Sequence, residues 1–464
     1  MKLDVDAGFA LPDLGGEPLA PRTFTSTYFD TRGRRLLAAG ITLRRRVENR
    51  AGVWRLELPS HDGPFGLEER GGPARPPEPF LRLLPALLRN GEALEPLAKL
   101  RTRRAGVSVG TVRDRVEVVI DTVAVLDGSR IATSFAKAEA EIAAGPGSQL
   151  DTIGKALRKA GAKRSDGRPE LARALGSTGE PAADEAGPLE RLRALLVEQY
   201  RAILGNDPGV RLGEDAEALH QLRVATRRSR SLLRAARGLV AATWAERLRS
   251  ELSWLGGLLG PVRDLDVLLE HLDSEAATLE EEDARAFRRL RARLAAERRD
   301  ARERLLDAMD GERYFRLLDA LEEAATAPAG ELTTPLAEIA AEAFRRLRVA
   351  AKTLPARPTD AELHGVRIET KRARYAAELA APELGKRGAR FVERAKVLQD
   401  VIGEHQDACV AEDRLRALAL RGGGKTGLAA GRLIERQRQR KSAARRAFAA
   451  AWSRVEKAGK KAFA

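Results

Sequence analysis

His220-Gln-Leu-Arg223-Val-Ala-Thr-Arg227-Arg228-Ser-Arg230 and His364-Gly-Val-Arg367-Ile-Glu-Thr-Lys371-Arg372-Ala-Arg374 are two copies of one pattern, 144 residues apart and in identical register. A second pair follows the first. Leu259-Gly260-Pro-Val-Arg263-Asp264 answers Ile402-Gly403-Glu-His405-Gln406-Asp407, with 143 residues between the two aspartates. Two motifs at a near-constant offset predict an internal duplication: two similar helical bundles related by a pseudo-two-fold. The surrounding sequence agrees. From Pro188 onward, long stretches rich in Ala, Leu, Arg and Glu predict eight or more long helices, with breaks near 205–213, 256–261, 327–334, 355–361, 382–388 and 422–427. The charged segment 280–304 reads as a solvated helix face.

An α-helix turns about 100° per residue. His220, Arg223, Arg227, Arg230 and Arg234 then fall within a stripe of roughly 80°. Leu222, Ala225, Leu232, Leu233 and Ala236 lie roughly 140° round the wheel and predict the packed face. No Asp or Glu occurs between His220 and Arg237. In the second copy His364, Arg367, Lys371 and Arg374 occupy the same stripe, but Glu378 stands where Arg234 did. Such a stripe reads either as a solvated face or as a polyanion site, because one cation per turn matches regularly spaced phosphates and arginine grips their oxygens with two hydrogen bonds. Repetition in register favours the second reading. The histidines either contact phosphate or brace the arginines; Asp264 and Asp407 either orient an arginine or cap a helix. The run Arg432-Leu-Ile-Glu-Arg436-Gln-Arg438-Gln-Arg440-Lys441 adds a further basic helix.

Residues before about 165 have another character. TFTSTYFD (23–30), GITLRRRV (40–47), VWRLELP (53–59), GVSVGTV (106–112), RVEVVIDTVAV (115–125) and AKAEAEIA (136–143) predict antiparallel strands, with helices over 78–90 and 149–160. The fold class is therefore α+β and multidomain, with a domain over 1–175, a linker over 176–188 and a helical domain over 189–464. Charges alternate along several strands: Arg44 with Arg46, Arg101 with Arg103, Glu117 with Asp121, Glu139 with Glu141. This pattern fits either a sheet with one wet face or a closed barrel whose lumen holds phosphates and divalent metal.

Composition sets the outer bounds. The net charge is +15 over 464 residues, which favours a polyanionic partner without choosing among nucleic acid, an acidic membrane surface and polyphosphate. Aromatic residues make up 4% and none but Tyr375 interleaves with the stripes, so stacking platforms for single strands are scarce. One cysteine, Cys409, rules out the usual zinc clusters and any internal disulfide. Nucleic acid is thus disfavoured as the main partner. The opening MKLDVDAGFALPDL lacks the pattern of a signal peptide, and no apolar run approaches membrane-spanning length, so no membrane association is expected and the expected location is cytoplasmic.

The repeated HxxRxxxRR-type motif and the LGxxxD pieces make the region 189–464 resemble the CHAD domain, the conserved histidine α-helical domain. That resemblance implies two four-helix bundles around a basic cavity, binding of inorganic polyphosphate and association with polyphosphate granules. It carries that role onto His220, Arg223, Arg227, Arg228, Arg230, His364, Arg367, Lys371, Arg372 and Arg374, and the stripe adds Arg234. TSTYFDT, TLRRR, WRLELP, KLRTRR and the late Glu139/Glu141 pair make residues 1–175 resemble a CYTH domain, the triphosphate tunnel fold. This implies hydrolysis of triphosphate compounds with Mg2+ or Mn2+, phosphate held by Arg44, Arg46, Arg101 and Arg103, and metal by Glu139 and Glu141. Three positions depart from the family pattern. The opening ExExK is reduced to Lys2, Glu57 takes a lysine position, and Glu170 takes another. All three weaken a triphosphate site. The resulting expectation is a polyphosphate-binding protein whose first domain has weak or lost activity; the alternatives are an active metal-dependent triphosphatase and a non-specific nucleic-acid binder.

Overall fold

The computed structural model describes residues 1–464 except 7, 61–62, 74, 166–169, 177–186, 237, 277–280, 327–329, 331–334 and 423. The chain divides into two compact units, Met1–Pro181 and Ala182–Ala464. Most of the expected linker, and the expected break at 327–334, lie outside the described residues.

The first unit is an antiparallel sheet of nine strands. These are β1 (Lys2–Val5), β2 (Glu17–Asp30), β3 (Thr42–Glu48), β4 (Ala51–Leu58), β5 (Phe65–Arg70), β6 (Glu95–Thr111), β7 (Asp114–Asp127), β8 (Arg130–Ala144) and β9 (Lys163–Arg164), in the order β5-β4-β3-β2-β6-β7-β8-β1-β9. Every segment expected to be a strand overlaps one and overruns it by at most two residues, but β2 and β8 begin six residues earlier and β6 eleven, and β1, β5 and β9 lie outside the expected segments. Among the described residues no pairing joins β5 to β9, so the backbone forms a sheet with two edges. Four short helices flank it: α1 (Arg35–Ala38), α2 (Glu78–Leu81), α3 (Leu150–Lys159) and α4 (Glu170–Ala174). The helix expected over 78–90 stops at Leu81. Pro85 brings no N–H, and it disfavours the helical conformation at Leu84 before it.

The two faces of the sheet differ. On one, Ile153 and Leu157 of α3 pack on Leu3, Val5, Val116, Val118, Ala136, Ala138 and Ala140. On the other, Leu171 of α4 packs with Tyr28, Leu100, Val123 and Val125. Cross-strand register puts Arg22, Arg104, Asp121, Lys137 and Asp4 in one row on this second face, with Tyr28, Arg44 and Arg55 in another. The second face is therefore part apolar and part charged.

The second unit is helical: α5 (Pro188–Leu212), α6 (Ala216–Ala235), α7 (Ala242–Ala276), α8 (Glu281–Met309), α9 (Glu312–Glu322), α10 (Leu336–Lys352), α11 (Asp360–Leu379), α12 (Ala381–Gly422) and α13 (Gly424–Ala462). The motif helices α6 and α11 are both 20 residues long. Their limits differ by the same 144 residues as their motifs, so the duplication extends to the elements. The α10–α13 bundle closes over Phe344, Leu347, Val366, Ala373, Phe391, Leu398 and Val455. In the first copy Asp310-Gly311 splits the counterpart of α13 into α8 and α9. Tyr314 of α9 then donates its hydroxyl to buried Asp207 on α5 at 2.8 Å.

The expected break at 256–261 is absent, and that at 205–213 falls only at its end, where α5 stops at Leu212. Helix α5 runs through Pro208, and α7 runs through Gly256, Gly257 and Pro261. Gly205, Asp207 and Pro208 are buried, and burial of both flanks outweighs the local cost of proline. At 382–388 the chain does bend: Gly385 adopts φ 54° and ψ −147° inside α12.

Candidate functional site

Leu222, Ala225, Leu232, Leu233 and Ala236 are all buried, as the helical wheel requires. In both motif helices the threonine of the repeat is buried as well. Thr226 donates to the Leu222 carbonyl at 2.9 Å and Thr370 to the Val366 carbonyl at 2.8 Å, so neither hydroxyl is left unsatisfied. Helix α11 opens on a capping box, Thr359 with Glu362, which sets where its stripe begins.

Helices α6 and α11 pack against each other, and this brings the two stripes together. Lys371 of α11 lies in the field of Arg367 and Arg374 from its own helix and of Arg223 and Arg227 from α6. Burial first, and these cations second, push its ammonium down to about 7. Burial likewise depresses Arg367, which faces Arg227 and Arg223. Among the described residues, Arg227, Arg367 and Lys371 form no salt bridge within 4.0 Å. Five cations therefore converge on a half-buried site made by both copies.

The second repeated motif supports the first. Arg223 sits 3.2 Å from Asp264. Asp407, at the equivalent place, acts on Arg367 and is itself raised by burial. His364 Nδ1 lies 2.9 Å from Gln406 Oε1. His220, in the first copy, is held below the usual imidazole range by burial and then by Arg263, the counterpart of Gln406. Arg263 and Gln406 went unassigned in the sequence reading, although their place beside the aspartates marked them. The outer predicted residues have company. Arg228 approaches Glu198 and Glu378 at 3.6 and 3.7 Å, Arg374 approaches Glu378 at 3.4 Å and stacks on Tyr375, and Arg372 pairs with Glu369. Arg230 is depressed by burial and then by Arg249, and Arg234 is exposed near the C-terminus of α6. The basic run on α13 is largely neutralised: Arg438 meets Glu412 at 3.1 Å, Arg440 meets Glu404 at 2.6 Å, and Lys441 meets Asp360 at 2.7 Å.

On the sheet, Arg44, Arg46, Glu139 and Glu141 share the face covered by α4, as expected. Arg101 and Arg103 do not: they are exposed on the opposite face, and Arg104 is the arginine that points inward. Leu100 and Thr102 share the inward face with Arg104, so apolar and charged residues do not sort to opposite sides of the sheet. Four of the inward cations are paired with carboxylates. Arg44 meets Glu57 at 3.4 Å and Glu170 at 3.8 Å, and Arg55 meets Glu57 at 2.8 Å. Arg104 meets Asp121 at 2.7 Å, and Lys137 pairs with Asp121, Glu139 and Glu170. Tyr28 donates to Glu170 at 3.0 Å.

The Glu139 carboxylate does not fit a divalent metal. Glu139 accepts from Lys137 at 2.8 Å, with Arg104 at 3.5 Å and Lys2 at 3.7 Å. Burial alone would raise it, but those three cations hold it below the usual carboxylate range. Any cation there would have to displace three others. A second set of metal-type donors, Asp360, His405 and Cys409, lies in the helical unit. Its carboxylate is held by Lys441 and Arg445, and burial pushes the Cys409 thiol up to about 11. Such a site stays a hydrogen-bonded network. Among the described residues, no helix is long and apolar enough to cross a membrane.

A nine-stranded antiparallel sheet with a charged, helix-covered face, joined to a duplicated helical module whose motif helices pair, defines a two-domain protein of the CYTH and CHAD type. The chain belongs to the CYTH–CHAD fusion family: the CYTH domain model matches residues 2–170 and the CHAD domain model matches 194–416. It is 31% identical over 481 residues to Rv2226 of Mycobacterium tuberculosis (strain ATCC 25618 / H37Rv), covering 94% of this chain and 90% of that one. Among solved structures it resembles PptA from Streptomyces chartreusis, at 28% identity and a TM-score of 0.48, over 57% of this chain and 98% of that one. It also resembles the CHAD domain from the plant Ricinus communis, at 28% identity and 0.47, over 57% and 91%.

Proposed function

We propose that this protein binds inorganic polyphosphate at the paired stripes of α6 and α11, and that its CYTH domain has weak or lost activity. The observation that carries this reading is the convergence of Arg223, Arg227, Arg367, Lys371 and Arg374, contributed by both copies, with three of the five unpaired. Clustering cations in a half-buried site costs free energy through mutual repulsion and desolvation, and an anion of high charge density repays it. Polyphosphate carries a negative charge at each repeat and needs no aromatic stacking, which suits paired stripes of guanidiniums. For the sheet, the support is the reverse. Glu57 and Glu170 already neutralise Arg44, Arg55 and Lys137, so an incoming triphosphate meets three of the inward cations already paired, and Arg46 lies over the Phe24 ring.

Isothermal titration of the full chain with long-chain polyphosphate is the direct test. Replacing Arg223, Arg227, Arg367 and Lys371 together with Ala is expected to reduce affinity by at least about 100-fold while circular dichroism stays unchanged. Undiminished binding refutes the site. Double-stranded DNA that competes equally at matched phosphate and salt refutes the preference for polyphosphate.

A further inference from the structure

The two stripes differ most at one position. The residue 144 after Arg234 is Glu378. Its carboxylate lies 3.7 Å from Arg228 of α6 and 3.4 Å from Arg374 of α11, so it engages one guanidinium from each copy. It saturates neither. Glu378 Oε2, Arg228 Nε and Arg374 Nε are all buried without a hydrogen-bond partner. A carboxylate held between two arginines of different copies, with donors and an acceptor left over, stands where a bridging phosphate oxygen would stand.

The pseudo-two-fold makes the asymmetry plain. The equivalent of Arg228 beside Glu378 is Arg372 beside Arg234, which would set two cations together. There Arg372 is taken up instead by Glu369, whose counterpart in the first copy is Ala225. Between the motif histidine and the end of the stripe, acid thus enters only the second motif helix, and only Glu378 reaches across to the first copy, where Arg228 also meets Glu198 of α5 at 3.6 Å. One end of the cation path carries an internal anion. The other ends on an arginine.

We infer that Glu378 is a specificity-determining residue that closes one end of the polyanion path, by occupying Arg228 and Arg374, and so limits how many phosphate groups the cleft engages. This rests on the polyphosphate reading above. Long chains must stop short of the Arg228–Arg374 pair or displace the carboxylate, whereas a short anion seated at Lys371 and Arg367 is indifferent to it.

The salt dependence of binding counts the phosphates engaged, because each neutralised phosphate releases counterions. Full-length wild-type protein, Glu378→Gln and Glu378→Arg are titrated with tripolyphosphate and with long-chain polyphosphate over a series of KCl concentrations. Glutamine keeps the shape of the side chain, and arginine restores the first copy's residue. Both variants are expected to bind the long chain roughly three- to tenfold more tightly at low salt, with a log–log salt slope steeper by about one or more. Tripolyphosphate affinity is expected to change by less than about twofold. Wild-type binding that neither variant alters in affinity or slope overturns this inference alone. So does weaker binding in Glu378→Gln with an unchanged melting temperature, which would make Glu378 an orienting partner of the arginines. Absence of polyphosphate binding in all three proteins overturns the underlying reading and this one with it.

Discussion

Lys371 concentrates the electrostatics of the helical site. Burial and the facing Arg367, Arg227, Arg223 and Arg374 hold it at about 7, against an ordinary lysine above 10. Free protein at pH 8 therefore carries it mostly neutral, and at pH 6 mostly charged. A bound polyanion favours the ammonium and raises its pKa, so binding above pH 7 takes up a proton. Affinity must then fall as pH rises through 7, by at most about tenfold per pH unit for one proton, and level off below pH 6. Calorimetry in buffers of different ionisation enthalpy reads the proton directly. Lys371→Arg, which cannot lose its charge in this range, is expected to flatten the profile; an equally steep profile in that variant would assign the linkage to another group. The identity and register of Lys371 were legible in the repeat. Its depressed pKa was not, because two of the four responsible arginines lie more than 140 residues away along the chain.

At the scale of elements, helices and strands differed in how far they could be read. The helix stripe repeats with a period set by the backbone, and the buried residues of α6 fall where that period puts them. Strand alternation also held, but alternation alone does not say which parity faces inward. Arg103-Arg104 offers both, and the inward choice went to Arg104 because Leu100, of the same parity, packs beneath α4 and Thr102 is buried on that face. The charge reversals at Glu57 and Glu170 were visible as residues; that both reach into one network with Arg44 was not. Changing both to lysine shifts the charge of this face by four units and releases Arg44, Arg55 and Lys137 together. The double variant Glu57→Lys, Glu170→Lys is expected to gain tripolyphosphate binding detectable by calorimetry beyond that of the wild type. If it folds, by circular dichroism, and gains none, the neutralising role assigned to these glutamates is wrong.

Across the whole molecule, a net charge of +15 is spread unevenly. Much of it is spent on local ion pairs, as along α13, where Glu412, Glu404 and Asp360 take up the basic run. Among the described residues, Arg227, Arg367 and Lys371, which form no salt bridge, converge where α6 meets α11. On the proposed reading, the full chain is expected to bind polyphosphate through the helical unit alone. Arg44→Ala, which opens the sheet network, is expected to leave long-chain polyphosphate affinity within about twofold of wild type, whereas the fourfold stripe variant loses it. Comparable losses from both would mean that the sheet also holds the polymer.

The sequence by itself determined the two-part layout, the duplication, the helical stripes and the packed faces opposite them. These follow from periodicities of 3.6 and 2 and from a repeat, all of them local or countable along the chain. Only the tertiary structure decided which stripes meet, which arginines keep their charge available, which parity of β6 turns inward, and that Glu378 spans both copies. Each of those depends on Coulomb interactions and desolvation acting over a few ångströms between residues remote in sequence, and no spacing along the chain encodes that distance.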